Sequence, residues 1–286
     1  MRYGVKAALK DAHVMANLDV DLLEVHLGLE DLPRHRRGLV DTFKEVRREH
    51  GHDLLVHAPE FMMTGAGPAL VDPTSEDEAI MSLTKSALQA TVDLAQELEA
   101  MLIVMHPGGI VPDATSPSQG ERMERLKVAL ASTRDLSREA GVSLTVENMP
   151  WFYHVKPMGG GQPLRWESSL MVTADDMDQL APFVDGMTLD VSHGYLHSRK
   201  GGMEVIEGFI SRHRDRILHM HLADALPPDH EGLQVGEGSV DFHTVLAHFA
   251  GRDVTAVPEI IGGHMGGGLS FKRALEELRR IESALR

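Results

Sequence analysis

Eight times along its length the chain runs through a short apolar stretch and then a longer segment of helical period, an alternation that leaves few folds open. The strand-like runs lie at 3–7, 22–26, 54–57, 102–106, 143–147, 186–190, 217–222 and 256–260. Several are unbroken in Val, Ile, Leu and Met, as parallel strands buried on both faces require. Helical spacing is clearest over 39–50, 76–99, 119–140, 203–213 and 271–285. Gly141 is placed to stop one of these helices and Asp241 to cap the seventh. The pattern predicts a single (β/α)8 barrel over residues 1–286. A doubly wound open sheet is the alternative, but it usually carries a glycine-rich phosphate turn after its first strand, and none is present here.

Two inserts break the short-connection pattern: residues 62–75 after the third strand and 151–166 after the fifth. Both follow strand C-termini, the end at which barrel enzymes build their active sites, and both are expected to be substrate loops.

The residue at or just beyond each strand end carries the chemistry. Strand three ends in His57, strand four in His106 and strand five in Glu147. Strand six ends in Asp190 with His193 three residues on, strand seven in His221, and Glu259 closes the eighth. In a barrel these side chains meet at one mouth, and three carboxylates gathered there repel one another unless a cation lies between them. The chain has no cysteine, so an ion must be held by imidazole and carboxylate, a donor set that suits zinc, manganese or another divalent first-row metal. Glu24 and His26 on strand two are further candidates, and Lys6 could line the floor of the mouth. His219 points to the same face as His221 and is expected to support it rather than bind metal. His230 and His264 lie in loops on the same side and are expected to face solvent.

Composition removes other classes. An apolar fraction of 42% is enough for a full core, and no apolar run reaches the roughly 18 residues of a membrane span. The N-terminal residues run directly into the first strand with no signal-peptide apolar region, which predicts a cytoplasmic protein. A net charge of -15 disfavours nucleic acid as a partner.

His57-Ala-Pro, His106-Pro-Gly-Gly, Glu147-Asn, Asp190-Val-Ser-His193, His221-Leu-Ala-Asp224, Gly236-Glu-Gly238 and Glu259 together resemble the xylose-isomerase-like barrel superfamily. That group contains sugar and sugar-phosphate isomerases and epimerases as well as endonuclease IV. The resemblance implies that Glu147, Asp190, His221 and Glu259 form the metal site shared across the superfamily. It implies a further metal position at His57 and His106, bridged by Glu147, for a total of one to three ions. His193 resembles either a third-metal ligand or a substrate-binding histidine, and Asp229 and His230 either hold a further metal or touch substrate.

Departures from the nuclease pattern separate the branches. Glu60 stands where the nuclease has a tyrosine, Ala223-Asp224-Ala225-Leu226 replaces Asn-Asp-Ala-Lys, and the third-metal loop reads Asp229-His230-Glu231-Gly232. A carboxylate at position 60 would repel a phosphate backbone. The expected activity is a metal-dependent isomerisation or epimerisation of a small sugar or sugar phosphate through an enediolate. In this reading Glu147 and Glu259 exchange the proton, His193 orients a hydroxyl, and Trp151, Lys156 and Arg165 close over the substrate. A multi-metal phosphodiesterase acting on abasic DNA is the alternative. A catalytically silent metal- or sugar-binding barrel is a third class.

Overall fold

The computed structural model describes residues 1–65, 67–111, 119–155 and 164–285. Eight parallel strands close into a barrel: β1 (Arg2–Ala7), β2 (Leu22–His26), β3 (Asp53–His57), β4 (Leu102–Met105), β5 (Ser143–Glu147), β6 (Gly186–Asp190), β7 (Ile217–His221) and β8 (Thr255–Val257). Each pairs with its neighbour in sequence, and β8 returns to β1 with Arg2 opposite Thr255. This is the expected (β/α)8 barrel. β4 stops short of His106 and β8 short of Ile260, because Pro107 and Pro258 have no amide hydrogen to offer the next strand.

Helices α1 (Ala12–Ala16), α2 (Arg36–His50), α3 (Glu78–Glu97), α4 (Gln119–Glu139), α5 (Ala174–Leu180), α7 (Glu204–His213), α8 (Phe242–Ala247) and α9 (Met265–Ala284) cover the outside, and the short α6 (Val191–Tyr195) follows β6 at the mouth. α2 shows why they dock. Leu39, Val40, Phe43 and Val46 recur on one face and are buried, each removing apolar surface worth about 1.5–3 kcal/mol from water. The Asp241 carboxylate accepts from the Thr244 amide at the start of α8, and Gly141 takes the left-handed conformation that ends α4. No helix among the described residues is long and apolar enough to cross a membrane.

Strand alternation divides the apolar residues into two cores. Outward-facing Val5, Leu23, Val25, Val56, Ile103 and Val146 join the helices in the large core. Inward-facing Leu22, Leu55, Leu102, Val104 and Val257, with Leu218, form a separate plug low in the barrel. Gly4 and Gly186 make room for it: a Cβ at Gly4 would lie 2.2 Å from the Leu22 side chain, and one at Gly186 2.5 Å from that of Leu218. The β6–β7 register shifts between Met187 and Thr188, so that Thr188 faces His219 where Met187 faced Ile217. This bulge leaves Leu218 in the plug and turns His219 and His221 inward above it.

Among the described residues, the connections after three strands form hairpins at the mouth. Phe61–Thr64 pairs with Gly67–Leu70 after β3, and Asp224–Leu226 with His230–Leu233 after β7. Phe152–Val155 pairs with Leu164–Ser168 after β5, and Leu164–Ser168 takes on Ile110–Val111 as a third strand. The two long inserts are therefore ordered walls of the mouth over their described parts. Lys156 lies outside the described residues.

Candidate metal centre at the barrel mouth

Above the apolar plug the inward positions turn polar. Lys6, Glu24, Thr145, Thr188, His219 and Thr255 occupy one level, where the Thr145 and Thr188 hydroxyls are 2.8 Å apart and His219 Nδ1 is 2.8 Å from Thr255 Oγ1. At the strand ends above them stand His57, Glu147, Asp190 and His221, with His106 and Glu259 just beyond.

Glu147 is the centre of this upper level and has no exposed surface. Imidazole nitrogens of His193 and His221 lie 3.2 Å from its Oε1, and those of His106 and His57 lie 3.4 and 3.5 Å from its Oε2. Burial pushes the Glu147 carboxyl up, but the neighbouring His221 and His106 override it and hold the group well below the ordinary carboxylate range. Burial pushes the imidazoles down; the carboxylates around His221 and His193 override that too and hold both rings well above their ordinary value. Asp190 goes the other way. Burial, reinforced by Glu259 and Glu147, pushes its carboxyl up to about 7 against the pull of His193 and His221.

The residues present fit a bound cation. Glu147, Asp190, His221 and Glu259 each offer a ligand atom, all within 4.8 Å of one another. His57, His106 and Glu147 form a second group of the same kind, so that Glu147 belongs to both. Among the described residues, Glu147 Oε2, Asp190 Oδ2 and His106 Nδ1 are buried with no hydrogen-bond partner, a condition that costs about 1–3 kcal/mol per group unless something else satisfies them. The rings are set for coordination. His57 Nδ1 donates to the Ala58 carbonyl at 2.9 Å, which leaves Nε2 as the lone-pair nitrogen facing Glu147. Ligand atoms of imidazole and carboxylate, with no thiolate, suit zinc or manganese.

Local structure fixes these side chains. Asp190 Oδ1 accepts from the His193 amide at 2.7 Å and from Ser192 Oγ at 2.9 Å, capping α6 and leaving Oδ2 to the site. The Asn148 side chain grips the Asp190 backbone at both ends, accepting from its amide at 2.9 Å and donating to its carbonyl at 2.8 Å. Sequence reasoning gave Asn148 no role, although the Glu147-Asn pair was its signal. Lys6 hydrogen-bonds Glu259 and lies 3.5 Å from Glu24, so the lysine reaches the site itself. Glu24 is fully buried against His219 and His221.

A cavity of about 160 Å³ opens beside this cluster, lined by His106, Tyr153, His154, His193, Glu231 and Glu259 among others. Glu259 is the acidic member of the four-residue group that opens onto it, with 32% of its side chain exposed. Glu231 faces it too, 3.4 Å from His193 Nε2.

Several expected contacts fall elsewhere. His230 is exposed and lies outside the cluster, as alternation along its strand requires: His230 points out and Glu231 in. Asp229 is held by Arg165 at 2.9 Å. Trp151 is buried, donates its indole N–H to the Pro228 carbonyl at 2.8 Å, and carries the Arg199 and Arg165 guanidinium groups at 4.0 and 5.1 Å from its ring. Trp151, Arg165 and Asp229 thus clamp two hairpins together. His264, expected in solvent, is partly buried and shares a second cavity with Lys6, His26 and Glu259.

Comparison with known proteins agrees with this architecture. A curated relative, the uncharacterised protein MJ1311 of Methanocaldococcus jannaschii, is 23% identical over 240 residues, 83% of this chain and 73% of the relative. Among solved structures, a D-tagatose 3-epimerase-like protein superposes with a TM-score of 0.73 at 22% identity, covering 99% of both chains. An L-ribulose 3-epimerase superposes with a TM-score of 0.71 at 17% identity, covering 100% of this chain and 95% of the other. The family model described as the xylose isomerase-like TIM barrel matches residues 13–282. The chain belongs to the xylose isomerase-like TIM-barrel family.

Proposed function

We propose that this protein is a divalent-metal-dependent isomerase or epimerase acting on a small sugar or sugar phosphate. The observation that carries the reading is the convergence of Glu147, Asp190, His221 and Glu259 within 4.8 Å beside an open, polar cavity. The sugar class is supported by the names of the solved neighbours, a tagatose-epimerase-like protein and a ribulose epimerase. The cavity suits a polyol, since Tyr153, His154, His193 and Glu231 supply hydrogen-bonding groups along its wall.

A zinc or manganese ion held by the four residues would draw electron density from a carbonyl and an adjacent hydroxyl oxygen, acidifying the C–H between them through an enediolate-like state. Glu259 opens onto the cavity and is the carboxylate placed to take that proton; Lys6, hydrogen-bonded to it, keeps it ionised. Glu147 lies deeper and would return a proton on the other face once substrate separates it from the imidazoles. His193, with Nδ1 donating to the Asn148 carbonyl at 3.0 Å, presents Nε2 to a substrate hydroxyl, and Glu231 beside it accepts from another.

One observation favours a second reading. His57 and His106 form a further ligand group with Glu147, which a one-metal epimerase does not need and a multi-metal phosphodiesterase does. Against it, Glu60 Oε1 lies 3.5 Å from His106 Nδ1 and lines the cavity, where it would meet a phosphate backbone.

Metal content of protein purified without chelator, followed by incubation with ketoses in deuterated water, decides between them. The isomerase reading expects deuterium at the carbon beside the ketose carbonyl, lost in Glu259→Gln. Cleavage of abasic-site DNA that disappears in His106→Ala, with no exchange into any ketose, would replace it with the hydrolytic reading.

A further inference from the structure

The fully buried Glu24 is on β2, on the far side of the barrel from the strands that supply most of the cluster, yet both inward histidines of β7 converge on it. Its Oε2 lies 2.8 Å from His219 Nε2 and 3.0 Å from His221 Nε2. A carboxylate only accepts, so each ring must donate through Nε2–H. For a neutral His221 this leaves a single lone pair, on Nδ1, and Nδ1 is the nitrogen that faces the site: 2.7 Å from Glu259 Oε2, 3.2 Å from Glu147 Oε1 and 3.7 Å from Asp190 Oδ2. His219 is held from its other side by Thr255 Oγ1 at 2.8 Å, so it cannot turn away and release Glu24. Lys6 Nζ, 3.5 Å from Glu24 Oε1, keeps a negative charge tolerable at this depth.

We infer that Glu24 is a positioning residue of the metal centre: it fixes the tautomer and the plane of His221 so that Nδ1 is the coordinating atom, with His219 as its brace. Glu24 also forms a compact group with His57 and His221. Its Oε2, however, is already shared by two imidazoles and its Oε1 faces Lys6, so an ion bound through Oε2 would have to displace the contacts that orient His221. The β7 bulge is part of the same device, since it brings His219 and His221 inward together. Carboxylates that receive the second nitrogen of a ligating histidine set ring orientation and raise ligand basicity, and their loss typically costs about 10–100-fold in metal affinity.

This inference rests on the metal reading of the site, and its test separates the two. Zinc affinity is measured by chelator competition for the parent, Glu24→Gln and Glu24→Met, alongside the melting temperature of each metal-free protein. Long-range proton–nitrogen spectra of histidine-labelled, zinc-loaded parent report which His221 nitrogen is bound. The expected result is zinc on Nδ1 with the proton on Nε2. Zinc binding should weaken by about 10–100-fold in Glu24→Gln and further in Glu24→Met, while the metal-free Glu24→Gln protein melts close to the parent. Binding within twofold of the parent in both variants, or zinc on Nε2 of His221, overturns the role of Glu24 and leaves the metal centre standing. A parent that takes up no zinc or manganese overturns both. Should the variants fail to fold, the spectrum of the parent alone decides.

Discussion

Asp72 lies outside the metal cluster, yet its removal should reach His106. Its Oδ1 accepts from the Thr74 amide at 2.8 Å, Thr74 Oγ1 at 2.7 Å and the Gly109 amide at 3.1 Å. Arg122 stands 3.9 Å from Oδ2 and donates to Thr74 Oγ1 at 2.9 Å, and all of these side chains are buried. The cluster ties the turn after His106 to the end of the β3 connection. Asp72→Ala leaves a buried guanidinium without its counter-charge, a change that costs about 3–5 kcal/mol. For a chain of this length the unfolding entropy is about 0.6 kcal/mol/K, so the melting temperature should fall by roughly 5–8 °C. The turn would loosen as well, since Gly109 loses its acceptor, and metal held at His57 and His106 should be lost before metal held at Asp190 and His221. Calorimetry with metal analysis measures both effects. The exposed helix cap Asp77→Ala serves as a control, with an expected cost of about 1 kcal/mol. A shift for Asp72→Ala no larger than that of the control, with full metal content, would refute the idea that this buried cluster holds the site.

Three further outcomes follow from the site. Because the carboxylates around His221 hold its ring well above its ordinary value in the metal-free protein, it carries a proton at neutral pH that zinc must displace. Calorimetry in buffers of different ionisation enthalpy should show proton release and an affinity that falls as the pH is lowered; binding with no proton release would contradict it. Glu147→Gln weakens both ligand groups at once, so elemental analysis should find less metal than in His106→Ala, and equal content in the two variants would refute a shared ligand. Arg165→Ala removes an exposed ion pair and a weak stacking contact, and should cost no more than about 1 kcal/mol with metal content unchanged. Loss of metal in that variant would show that the clamp supports the centre.

The strand-end residues were legible because a barrel converts position along the chain into position around a ring. Once Glu147, Asp190, His221 and Glu259 are seen to follow apolar runs, topology brings them together. Contacts across the ring were not legible in the same way. Alternation says that Glu24 and His219 both face inward, but not that a bulge at Leu218 shifts β7 until the two meet. Lys6 reads as one more polar residue on a strand, and its bond to Glu259 depends on barrel closure between β1 and β8. Trp151 and Arg165 read as substrate-loop residues from their place after β5, whereas the β7 hairpin supplies Pro228 and Asp229 to occupy them. Residue type does not tell which of His230 and Glu231 points inward, because hairpin register, set by pairing with Asp224–Leu226, decides it.

The leucine and valine plug under the polar levels has a consequence for traffic. With Leu22 packed against Gly4 and Leu218 against Gly186, and Leu55, Leu102, Val104 and Val257 in the same plug, the described residues leave no back exit through the barrel. Whatever reaches Glu259 arrives and departs on the mouth side, by the hairpin-walled cavity or by the one it shares with Lys6 and His264. A product that lingers there blocks the next arrival, and a small molecule lodged between Tyr153 and Glu231 would compete with substrate for entry.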